Sequence, residues 1–173
     1  MQQLVDRMIR AARLEPTLYE EVEADRSTMG QATAVVLISS LAAGIPALSA
    51  AGVRGIVMVT LFTVAGWYVW AALTWFIGTR ILPEAETRAD MGELLRTLGF
   101  SSAPGVIRVF GIIPGIGVFL DLAAAVWMLA SMVVAVRQAL DYSSTARAVA
   151  VCLIGFVVQV VLTAMVLLPR LAQ

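Results

Sequence analysis

Arg108 and Asp121 are the residues of this chain whose type and spacing most invite a chemical reading. They flank the apolar stretch "RVFGIIPGIGVFLD", which is interrupted by Gly111, Pro114, Gly115 and Gly117. With Pro114–Gly115 as the apex of a helical hairpin, Arg108 stands six residues before Pro114 and Asp121 six after Gly115. Both charges would then lie at one depth, roughly 10 Å from the apex at helical rise. An unpaired charge at the bilayer centre costs at least about 2.5–3.5 kcal/mol on insertion scales, and two opposite charges at one depth offset much of that. The pair is either an internal staple that lets a marginal hairpin insert, or a polar site at a broken helix, where transporters often bind ions or substrates. Gln159, near the middle of the last apolar run, is placed to join such a site or to make a plain interhelical hydrogen bond.

Little else in the chain can do chemistry. There is no His, and the single Cys, Cys152, sits in an apolar run as a packing residue. Disulfides, Cys/His zinc sites and His-dependent acid–base catalysis within the chain are excluded. No nucleotide-binding loop, H-E-x-x-H helix, Ser/His pair or cluster of intramembrane carboxylates occurs. Asp121 alone, without a second acid, base or metal partner, is thin ground for hydrolysis. The expectation is a protein that is not an enzyme, with no catalytic, cofactor-binding or metal-binding residue and no cofactor. Twelve basic residues balance twelve acidic ones, so bulk electrostatics suggest no nucleic-acid partner.

The elements that carry these residues are set by lipid. The 173 residues are 60% hydrophobic and 14% charged, whereas soluble domains run at about 45–50% and about 25%. The fold class predicted is all-α: a polytopic membrane helical bundle of about five transmembrane helices, with a Pro/Gly-broken hairpin at 102–138 and amphipathic interfacial helices. Apolar runs at 32–51, 55–78, 101–113, 116–138 and 145–168 are the spans of a membrane domain covering 31–173. A helix needs about 20 apolar residues to cross the hydrocarbon, which makes 101–113 short unless it extends back through Leu98.

Residues 1–30 form a cytoplasmic amphipathic and acidic region. Leu4, Val5, Met8, Ile9 and Ala12 recur at helical spacing with Arg7, Arg10 and Arg13 between them, a pattern suited to an anionic membrane surface. Pro16 opens a second helix whose Glu20, Glu21, Glu23 and Asp25 make a solvated face or a docking surface for a basic partner. The segment 83–100, with Met91, Leu94, Leu95, Leu98 and Phe100 between Asp90, Glu93 and Arg96, reads as a second interfacial helix. Alternate connections are Arg-rich and Arg-poor, which predicts a cytoplasmic N-terminus and an exterior C-terminus. All twelve basic residues are Arg; with the abundance of Ala and Gly this suggests a GC-rich bacterial source, hence the inner membrane of a bacterium.

The order of features resembles the YIP1 family of small integral membrane proteins. The resemblance is carried by "PTLYEEVEAD", "GELLRTLGFSSAPGVIRV", "IPGIG" and "WMLASMVVAVRQALDYSSTARAVAVCLIGFVV", which together cover most of the chain. It implies five spans and a cytoplasmic N-terminus. Eukaryotic members are linked to Rab-type GTPases and Golgi trafficking, and bacterial members are largely without an assigned activity. Two functions are therefore expected: a non-enzymatic membrane scaffold or adaptor that holds a cytoplasmic protein partner through 1–30 and 83–100, or a small transporter or channel subunit built on the broken hairpin with Arg108 and Asp121. The lipid bilayer is a partner in either case, and the oligomeric state is left open.

Overall fold

The computed structural model of the chain describes residues 1–113 and 115–171, with side chains described at 1–46, 52–113, 115–161 and 165. Two short helices precede the long apolar runs: α1 (Gln2–Ala12) and α2 (Pro16–Ala24). Pro16 supplies the first turn of α2, where its missing N–H has no helical partner to lose. Five further α-helices follow: α3 (Met29–Gly44), α4 (Leu48–Phe76), α5 (Met91–Ser101), α6 (Gly117–Ala139) and α7 (Thr145–Leu171). The architecture is all-α, with no strand among the described residues.

α5 starts at a capping box. Asp90 accepts from the Glu93 N–H at 2.8 Å, and Glu93 accepts from the Asp90 N–H at 2.7 Å. At Ser102 the chain tightens into a 3₁₀ helix, Ala103–Ile112. At about 1.5 Å per α-helical and 2.0 Å per 3₁₀ residue, Met91 to Ile112 extends about 36 Å if straight. The sequence-predicted span 101–113 is thus the second half of a longer rod that begins at Met91.

Close contacts fix how this rod lies. A Cβ at Gly99 would fall 2.8 Å from Ala32 Cβ, one at Gly105 would overlap Ser39 Oγ, and one at Gly111 would sit 3.1 Å from Pro46 Cγ. Positions 32 and 39 of α3, and Pro46 just after it, therefore meet 99, 105 and 111 in parallel. α6 runs the other way, since Gly105 meets Met128 and Gly111 meets Gly117. α4 turns back on α3 with Gly44 against Ile56, after a break at Gly52 (φ 60°, ψ −166°). α7 runs antiparallel to α4: Arg147 donates to the Pro83 carbonyl at 2.8 Å, and Gly155 faces Trp70 and Ile77. The five rods alternate in direction.

Two helices among the described residues, Gly52–Ile81 and Gly117–Ala139, are long and apolar enough to cross a membrane, and Thr145–Val161 is a shorter apolar helix. The well-buried core lies toward the α1/α2 end of the bundle and includes Leu18, Tyr19, Val22, Leu94, Phe100, Val136 and Leu140. The other end presents Phe62, Phe110, Val118, Phe119 and Leu122 outward. Large exposed apolar surface of this extent is what lipid contact requires.

Two expectations are corrected. The helix at 91–100 does not lie on the surface: from Leu94 to Ser101 every residue is buried, because its apolar residues pack into the core that α2, α3, α4 and α6 share. The basic flank of α1 is largely consumed inside the protein. Arg7 is 4% exposed and donates to Glu21 Oε1 at 2.9 and 2.7 Å and to Gln31 Oε1 at 2.8 Å. Arg10 donates to Glu15 Oε2 and Glu21 Oε2. A fixed carboxylate from α2 is a nearer partner than a lipid headgroup, and only Arg13 of the three remains exposed.

The glycine contacts yield a direct test. Gly99→Val should force α5 away from α3 and cost about 1–3 kcal/mol, as overpacking does. It should lower the melting temperature in detergent by several degrees. Gly30→Ala, where nothing lies within 4 Å of a new Cβ, should be neutral or slightly stabilising, since Ala favours a helix over Gly.

Candidate functional site

The chain reverses between Ile112 and Gly117. Gly115 takes φ 87°, a left-handed conformation that costs a residue without Cβ little. A Cβ on Gly117 would sit 3.3 Å from the Gly111 carbonyl oxygen, so the two arms close tightly just before the turn. Pro114, expected at the apex, lies outside the described residues. Across this turn Arg108 Nε lies 3.6 Å from Asp121 Oδ1. The arginine side chain is 23% exposed and the aspartate 70%. Asp121 and Arg137 are sixteen residues apart on α6, about 24 Å at helical rise. The pair thus sits at the turn end of α6, far from Arg137 and six residues, about 9 Å, from Trp127, where the C-terminal end of α1 is bonded.

Arg108 also lines a cavity of about 590 Å³ among α3 to α7. Apolar walls from Val36, Leu98, Val126, Met128 and Phe156 are joined by Ser39, Ser40, Ser101, Ser102 and Thr63. Trp67 and Trp70 face it too. Trp67 Nε1 donates to the Leu95 carbonyl at 3.1 Å. Among the described residues Trp70 Nε1, which is buried, has no hydrogen-bond partner. Gln159 is half-buried on α7 and is not among the residues that line the cavity. Nothing in the sequence reading located this space. Its one local signal is the pair of Ser-Ser dipeptides, 39–40 and 101–102, set in otherwise apolar surroundings.

At the opposite end, α1 and α2 are fastened onto the bundle by buried polar groups. Arg96, 4% exposed, donates through Nε to the Val22 carbonyl at 2.9 Å and through Nη2 to the Glu23 carbonyl. It thereby satisfies carbonyls at the end of α2 and places a cation at the negative end of the helix dipole. Thr28 Oγ1 donates to the same Val22 carbonyl at 3.0 Å. Tyr19 OH lies 2.6 Å from Ser131 Oγ on α6, and burial pushes its phenol up to about 12. Trp127 Nε1 donates to the Ala12 carbonyl at 2.7 Å. Hydrogen bonds from Arg10 and Arg7 hold the Glu21 carboxyl below its ordinary range.

A surface notch of about 340 Å³ opens beside this cap, lined by Glu20, Glu23, Arg137, Gln138, Asp141 and Tyr142. Gln138 Nε2 donates to Glu20 Oε1 at 2.7 Å. Burial first, and then the negative charges of Asp141 and Glu93, push the Glu23 carboxyl up to about 7, against the opposing pull of Arg96. Because this folded-state value lies above the ordinary 4.5, protonation is linked to folding. The contribution of Glu23 to stability is present at low pH and is lost as pH rises through the window from about 4.5 to about 7. Glu23→Gln should therefore raise the melting temperature at pH 8 more than at pH 5, and flatten the pH dependence measured between them.

No curated protein and no solved structure matches the chain. The family model for the Yip1 domain matches residues 18–166. That match takes in most of α2, the buried α5 rod, the turn between Arg108 and Asp121 and most of α7. The chain belongs to the YIP1 family of membrane proteins.

Proposed function

We propose that the chain is a non-enzymatic membrane scaffold, whose N-terminal cap offers a cytoplasmic protein partner a rigid acidic platform. The observation that carries this reading is the fastening of α1 and α2 to the bundle. Arg7, Tyr19, Arg96 and Trp127 tie the cap to other helices through side-chain hydrogen bonds. The cap is therefore a fixed surface of the membrane domain, and its outward notch carries three acids, Glu20, Glu23 and Asp141, against one cation, Arg137. This platform suits a basic segment of a partner and replaces the exposed 83–100 helix as the docking surface.

In this reading all five rods cross the inner membrane of a bacterium. The Arg-rich segments support the orientation. Arg7, Arg10 and Arg26, then Arg80, Arg88 and Arg96, and then Arg137 and Arg147 belong to segments that meet at the capped end through Arg96–Val22, Gln138–Glu20 and Arg147–Pro83 contacts. By the excess of basic residues on the cytoplasmic side, that end faces the cytoplasm and the C-terminus the periplasm.

Single cysteines in a Cys152→Ala background test the orientation. A membrane-impermeant maleimide should label Val53→Cys in intact cells, and Glu86→Cys only after permeabilisation; the reverse pattern overturns it. The scaffold is tested by crosslinking in native membranes and mass spectrometry. A soluble partner should be recovered with the native chain and depleted at least about tenfold, a loss of roughly 1.4 kcal/mol, with Glu20→Gln/Glu23→Gln/Asp141→Asn. Recovery that the triple variant leaves unchanged, at an unchanged melting temperature, overturns the acidic platform.

A further inference from the structure

We infer that the cavity among α3 to α7 is a binding site for one acyl chain of an anionic phospholipid drawn from the surrounding bilayer, with the lipid phosphate held beside Arg108. Four features of the cavity agree on this occupant, and none depends on the scaffold reading.

Size is the first. A volume of about 590 Å³ lies within the roughly 300–1,000 Å³ typical of small-molecule sites. The second is length. From the level of Asp121, which marks Arg108, to Met132 on the far wall is eleven residues of α6, about 16 Å at helical rise. This is close to half of the roughly 30 Å hydrocarbon thickness, the reach of a chain within one leaflet. The third is access. Thr63, Val126, Leu153 and Phe156 line the cavity and are also exposed on α4, α6 and α7. The space therefore opens sideways, toward lipid.

Polarity is the fourth. The walls are largely apolar, with the hydroxyls of Ser40, Thr63, Ser101 and Ser102 bonded to carbonyls three or four residues earlier in the chain, and the one formal charge among the described lining residues is that of Arg108. Arg108 meets Asp121 only through Nε, at 3.6 Å, and the aspartate is largely exposed. Among the described residues the terminal amino groups of Arg108 have no hydrogen-bond partner. A guanidinium with free donors prefers a phosphate, which it can grip with two hydrogen bonds. The buried Trp70 N–H, without a partner among the described residues, can donate to an ester carbonyl of the same lipid. A charge beside a largely apolar slot with a few hydrogen-bonding groups is the complement of a phospholipid.

The test uses the full chain in nanodiscs made from equal parts of dioleoyl phosphatidylglycerol and dioleoyl phosphatidylcholine. The protein is then released into mild detergent and examined by native mass spectrometry. One retained phospholipid per chain is expected, with phosphatidylglycerol favoured about tenfold: both lipids offer Arg108 a phosphate, but the quaternary ammonium of phosphatidylcholine offsets its attraction to the guanidinium. Arg108→Gln should keep a lipid but bring the ratio near one. Gly66→Phe projects a ring from a cavity-lining position where nothing lies within 4 Å of a new Cβ. It should expel the lipid at an unchanged helical circular dichroism spectrum, and Gly30→Ala serves as the folded control. Release of a lipid-free native protein overturns the inference. So does a Gly66→Phe variant that is folded and still retains its lipid, or an Arg108→Gln variant with an unchanged ratio.

Discussion

The rest of the structure depends on one close approach, that of the rod from Met91 to Ile112 against α3. Gly99 lets Ala32 come to within van der Waals contact of its backbone, and Gly105 does the same for Ser39. Between helices in lipid there is little hydrophobic driving force, so small residues that bring backbones together carry the association. Once the rod is seated, its two halves offer surfaces to α2, α4 and α6. The bundle is organised around a buried helix that carries one of its most polar sequences.

Burying that sequence raises the question of Arg96. A guanidinium out of water is costly unless its donors are answered. Here they are answered by backbone carbonyls at the end of α2, so the charge that would expel α5 from the core instead attaches the cap. Arg7 repeats the device from α1, with Glu21 and Gln31 as acceptors. The polar groups that make residues 1–30 look like a detached surface segment are those that bind it to the membrane domain. A rigid acidic cap is a different object from a flexible amphipathic tail, and it favours a platform over a sensor of the bilayer.

The two ends of the bundle are chemically distinct. The capped end is dense, hydrogen-bonded and acidic. The remote end is loosely filled and apolar, with Arg108 and Asp121 at its boundary. The 3₁₀ geometry of Ala103–Ile112 contributes to that looseness. Such a helix is thinner than an α-helix and places side chains less evenly, and it borders the cavity at Arg108. A partner at the cap and a lipid at the far end would thus use separate surfaces of one framework.

By itself the sequence determined the solvent and the alternation. Apolar runs of bilayer length, punctuated by Pro, Gly and Arg, specify a helical membrane protein whose rods reverse direction, and these are local properties of composition and spacing. The facing of Arg108 and Asp121 was legible for the same reason, because a helical rise counted from a turn places both at one level. The burial of α5 was not legible. Its Asp90, Glu93 and Arg96 have the pattern of a surface helix; Asp90 does remain exposed, but Arg96 is buried, and the carbonyls of α2, 73 and 74 residues earlier in the chain, make that acceptable. The same holds for Arg7 and Arg10, whose partners belong to another helix, and for the cavity, whose walls come from five separate elements. Tertiary structure decided those features because each is a relation between residues that no local spacing connects.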